Sequence, residues 1–85
     1  MKEVYDLKDF LSKAHGEITI KVDGMVPHVS GKINDSGMMM AAFACMKCIE
    51  QRRVGSFDDT VEMMKKLNAI MGYHVQGEIN GEKYD

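Results

Sequence analysis

Twelve residues, Met38 to Ile49, read MMMAAFACMKCI and are interrupted by a single charge, Lys47. They form the longest apolar run in the chain and have the composition of a helix. As a helix, a run of this length rises about 18 Å, against roughly 30 Å of bilayer hydrocarbon, so it is too short to cross a membrane. It reads as a buried helix around which the rest of the chain packs.

At about 100° per residue, Met38, Ala41, Ala42, Cys45 and Ile49 share one face, with Met46 and Cys48 at its margins. This is the expected core face, and its small side chains suit close approach to a sheet or another helix. Lys47, Glu50 and Gln51 mark the opposite side as facing water. Met39, Met40 and Phe43 fall on that same side, so the first half of the helix is apolar all round. A flanking helix of the same chain, a partner or a second copy must cover them.

Eighty-five residues allow one domain, 1–85, with one modest core. A 45% hydrophobic and 28% charged composition is that of a globular protein. Lys plus Arg number 11 against 13 Asp plus Glu, which removes the bulk positive field that would attract nucleic acid or an anionic membrane. The opening MKEVYDLKDF is acidic where a signal peptide is basic and then apolar, so a cytoplasmic protein is expected. Nine methionines with no tryptophan suit either an adaptable core or an adaptable binding surface.

Along the chain, Asp6 is placed to cap a helix over about Leu7–His15, with Tyr5 and Phe10 as a hydrophobic staple and Gly16 as its stop. Glu17 to Asp23 alternates, with Ile18, Ile20 and Val22 on one face. Asp23-Gly24 reads as a two-residue hairpin turn that pairs Val22 with Met25, Ile20 with Pro27 and Ile18 with Val29. Pro27 puts that second strand at the sheet edge. Asp35 or Ser36 would cap the central helix, which runs to about Arg53. Ser56 caps the next, whose Phe57, Val61, Met64, Leu67 and Met71 recur at helical spacing, with Glu62 paired to Lys66 and Gly72 as stop. Tyr73 to Ile79 is the last strand, and Asn80-Gly81 turns the chain into a polar tail. The expected fold is therefore α+β, a two-layer domain of order α-β-β-α-α-β. Its three-stranded antiparallel sheet has helices on one face and a polar other face of Thr19, Lys21, His28, Ser30, Lys32, His74, Gln76 and Glu78.

No stretch carries a catalytic or cofactor fingerprint. Cys45 and Cys48 match C-x-x-C, but they lie in mid-helix and towards the expected core, without the helix N-terminus that activates a redox thiol. Zinc would need two further ligands, and His15, His28 and His74 have no ligand spacing. The paired Asp58 and Asp59 suit a helix start. Neither a cofactor nor a metal is expected, and the chain reads as non-enzymatic.

In size and character, a short, Met-rich, mildly acidic αβ chain without a catalytic motif, the sequence resembles small phage-encoded accessory and anti-defence proteins, anti-CRISPRs among them. The resemblance implies a protein, acting in a host cell's cytoplasm, that binds and blocks a larger host protein. The leading expectation is an interaction or inhibitor protein, self-associating as a homo-oligomer, with Met39, Met40, Phe43 and Lys47 as its contact residues. The alternative is an oligomer that sequesters a small anionic, nucleotide-like ligand through Lys32, Arg52 and Arg53. A redox or metal protein acting through Cys45 and Cys48 ranks third.

Overall fold

The computed structural model describes residues 2–52, 55–72 and 74–85, with side chains from residue 6 onward. Elements follow in the order α1 (Lys2–Ser12), β1 (Gly16–Lys21), β2 (His28–Ile33), α2 (Asp35–Gln51), α3 (Phe57–Met71), β3 (Gln76–Ile79) and β4 (Glu82–Tyr84). The class is α+β, as the hydrophobic periods require. The sheet, however, has four strands in the order β1-β2-β3-β4 and is mixed rather than antiparallel, because β2 and β3 run parallel. The two-helix crossover between them explains this: α2 carries the chain away from β2 and α3 returns it, so β3 enters in the same direction.

The short hairpin is not formed. Ile20 pairs with Val29 and Ile18 with Gly31, so the register is displaced by two residues and Val22 to Pro27 form the connection. Gly24 still adopts φ +89 in that loop. Pro27 precedes β2 instead of lying within it, and its carbonyl accepts from Gln76 N–H, so β2 is an interior strand rather than an edge. Because the displacement is even, the side chains of β1 and β2 keep their expected faces, whereas His74 precedes β3 and lines a recess with Ile18 and Val29 instead of standing on the polar face. Ile18, Ile20, Val29, Ile33 and Ile79 lie on one side, and Thr19, Lys21, His28, Ser30, Lys32, Gln76 and Glu78 on the other.

The helix ends also differ from expectation. α1 begins at Lys2, so Asp6 is inside it rather than capping it, and it stops at Ser12; the Tyr5 side chain of the staple lies outside the described residues. Gly16 is the first residue of β1. The α2 cap is Asn34, not Asp35 or Ser36: its Oδ1 accepts from both Gly37 N–H and His15 N–H at 2.9 Å, and its Nδ2 donates to the Lys13 carbonyl at 2.7 Å. One side chain thus joins the end of α1, the start of β1 and the start of α2. The helix ends at Gln51; Arg53 lies outside the described residues. Ser56 caps α3 as expected, in a reciprocal box with Asp59. Along α3, Lys65 rather than Lys66 reaches Glu62, at 3.3 Å. Tyr73 is likewise outside the described residues, β3 begins at Gln76, and the tail returns as β4.

α2 lies on the apolar face of the sheet, where Gly37 comes so close to Ile33 that a Cβ would collide with its side chain. The residues of α2 that share recesses with strand residues are Gly37, Met38, Met40 and Ala41, all in its first half. In its second half Ala44, Cys45 and Cys48 are exposed, while Met46 and Ile49 are half-buried. Among the described hydrophobic residues only Ile33 and Ile79 are buried, at 6% and 3% exposure.

Candidate functional site

α2 and the start of α3 are held together by one cluster. Phe43 packs on Phe57 with ring centroids 5.8 Å apart and planes tilted by 51°. Lys47 Nζ lies 6.0 Å from the centre of the Phe57 ring and pairs with Glu50 Oε1. Glu50 Oε2 accepts from the Phe57 N–H at 3.0 Å, which satisfies a free donor at the start of α3. The hydrogen bond from Lys47, followed by that from the Phe57 N–H, holds the Glu50 carboxyl below the usual glutamate value. Lys47 is therefore half-buried and tied to its neighbours, not a solvated residue on an open face.

Met39 is 58% exposed, and Phe43, although it packs on Phe57, is 46% exposed. Met40, at 39%, leans the other way, into a recess with Ala14, Gly16, Ile18 and Ile33. The expected four-residue contact set thus divides into an outward pair, Met39 and Phe43, an inward-leaning Met40 and a pinned Lys47.

Of the basic residues of the alternative reading, Lys32 and Arg52 do not come together. Lys32 is on the polar sheet face beside the start of α2, and Arg52 follows its last residue, roughly 25 Å away along a 17-residue helix. Arg53 is outside the described residues. The α2 N-terminus is occupied by the Asn34 cap.

Cys45 and Cys48 are both exposed, which corrects their placement in the core. A helical wheel groups residues by angle alone, and along the second half of α2 the side that carries Cys45 and Cys48 is open. Ala42 is exposed as well. Among the described residues, no three His, Cys, Asp or Glu side chains converge as metal ligands. No helix among them is long and apolar enough to cross a membrane.

On α3 the sequence reading names Leu67 in the apolar stripe but leaves out Met63 and Ile70. Met63, Leu67 and Ile70 stand at i, i+4 and i+7, the helical signal that would have revealed them, and all three are exposed. The chain matches no family model, no curated protein and no solved structure.

Proposed function

We propose that this chain is a non-enzymatic interaction protein that binds a larger protein partner through the outward side of α2, with Met39 and Phe43 at the centre and Phe57 behind them. The observation that carries this reading is the exposure of two large, flexible or aromatic apolar side chains one turn apart on a single helix. Such patches mark contacts, and aromatic and methionine anchors are enriched at the centres of interfaces. The pinned Lys47–Glu50 pair beside them supplies a polar rim already fixed in place, which lowers the ordering cost of docking. The resemblance in size and character to phage-encoded anti-defence proteins adds the class of partner: a larger host protein that the chain would block.

A photo-crosslinking residue in place of Met39 tests this in cells that contain the partner. The expected result is one discrete adduct much heavier than two chains, lost on Phe43→Asp. An adduct of two chains only would reassign the surface to self-association, and the absence of any adduct would remove the proposal.

A further inference from the structure

α3 has a long open face. Every residue from Glu62 to Ile70 is exposed, and among the helices and strands its packing is chiefly against α2, while Met64, Leu67 and Met71 line an open recess opposite Met25, Pro27 and Val75. Met63, Met64, Leu67, Ile70 and Met71 nonetheless form an apolar stripe about 120° wide, the width of a face that normally meets a core. A lone helix of this length is marginal in water, so the stripe requires a counterpart.

A counterpart exists on the same chain and is equally open. Between α2 and β4 the apolar face of the sheet forms a groove of about 570 Å³, floored by Ile18, Val29 and Ile79 and walled by Met38, Val75 and Tyr84. Ionic residues do not oppose the match. Glu62 and Lys66 lie along one edge of the stripe, with Glu62 paired to Lys65, and Lys83 and Asp85 rim the groove, so both surfaces carry charges of both signs.

The areas agree with a missing subunit. A folded chain of 9.6 kDa exposes about 5,100 Å², whereas this one exposes 7282 Å². Its radius of gyration is 14.3 Å, against about 12 Å for a compact domain of this length. The excess of about 2,200 Å² per chain is shared among all its open surfaces, and about 800 Å² of it on each copy would match a stable interface.

We infer that a second copy of this chain completes the fold: α3 of each subunit lays the stripe of Met63, Leu67 and Ile70 into the Ile18–Val29–Ile79 groove of the other, about a two-fold axis. Stripe and groove are different patches of one chain, and a two-fold axis forms both contacts at once, which closes the assembly at two. The surface is distinct from the Met39–Phe43 side of α2, so the two proposals stand or fall separately.

Light scattering after size exclusion should give twice the 9.6 kDa chain mass. Ile70→Asp disturbs little packing within one chain, since Ile70 is 75% exposed, and should halve the mass with helical circular dichroism retained at matched concentration. In a Cys45→Ala, Cys48→Ala background, chains carrying Ile70→Cys are mixed with chains carrying Tyr84→Cys and treated with a short bismaleimide. A mixed cross-linked pair should form in large excess over pairs of either chain alone. If Ile70→Asp fails to fold, this cross-link decides. Monomer mass for the unaltered chain, or a dimer whose mixed chains do not cross-link, overturns the inference. Met39→Asp should leave both readouts unchanged.

Discussion

The side-chain amide of Asn80 binds the backbone of Ile33 at both ends, its Oδ1 accepting from the Ile33 N–H at 2.8 Å and its Nδ2 donating to the Ile33 carbonyl at 2.6 Å. Since Asn80 N–H also donates to the Gly31 carbonyl, the parallel ladder between β2 and β3 is continued by a side chain where the β3 backbone turns away. Asn80 does so at φ +54, a conformation that asparagine tolerates better than most residues. Asn80→Ala should lose about 2–4 kcal/mol in denaturant unfolding, since it leaves donor and acceptor of a buried residue unpaired and adds backbone strain. Asn80→Gly relieves the strain alone and should recover about 1 kcal/mol of that. Equal losses for the two would mean that the backbone conformation contributes nothing.

Asn34 offers a parallel case with a separable outcome. Asn34→Asp keeps the oxygen that caps α2 and receives the His15 N–H, but loses the donor to the Lys13 carbonyl. It should cost about 1 kcal/mol, whereas Asn34→Ala, which also removes the cap, should cost about 2–3 kcal/mol. A chemical-denaturation series on the two variants checks the order.

Glu50 gives a pH signature. Its carboxyl in the folded chain is held below the ordinary value of 4.5, so below that value the unfolded chain binds more protons. Its contribution to stability is therefore present above about pH 4.5 and is lost as pH falls through the depressed folded value. Thermal midpoints should show Glu50→Gln less stable than the parent at pH 7, with the gap closing in acid. A gap that widens in acid would contradict the assignment.

Which parts of the fold were legible follows from the range of the forces involved. Ser56 capping α3 and the alternation of Ile18 and Ile20 are local, and both were readable. The faces of β1 and β2 came out correctly although Ile20 meets Val29 rather than Pro27, because a slip of two residues leaves side-chain parity intact. The β2–β3 pairing was not readable, since it joins residues such as Gly31 and Ile79 across two helices. Nor was β4, three residues of largely polar character that read as a tail. The cysteines failed for a different reason: a helical wheel orders residues by angle and cannot say where along the axis that face is left open. For the site, the wheel grouped Met39, Met40 and Phe43, but only tertiary contacts separate Met40 from the other two.

Exposure of Cys45 and Cys48 predicts thiol chemistry opposite to that of core residues. Both should react with a small thiol reagent in native buffer at rates close to those in denaturant, and the double change to Ala should shift stability by less than about 0.5 kcal/mol, as surface substitutions do. Slow native labelling of both would show that an assembly covers this side of α2.

The division of the methionine cluster can be tested by placing one charge at two neighbouring positions. Met39 is directed outward, so an aspartate there stays hydrated and should alter unfolding free energy by less than about 0.5 kcal/mol while abolishing partner capture. Met40, one residue on and turned by about 100°, shares a recess with Ala14, Ile18 and the buried Ile33, so an aspartate there loses apolar contact and draws a carboxylate towards the core. It should cost about 1–3 kcal/mol whether or not a partner is present, because the residue keeps more than a third of its surface in water and the charge is only partly desolvated. Circular dichroism melts of the two variants, beside a pull-down of the crosslinked partner on each immobilised variant, give both readouts. If Met39→Asp proved the more destabilising, the outward pair would belong to the core of the subunit, and the docking surface would have to be sought elsewhere.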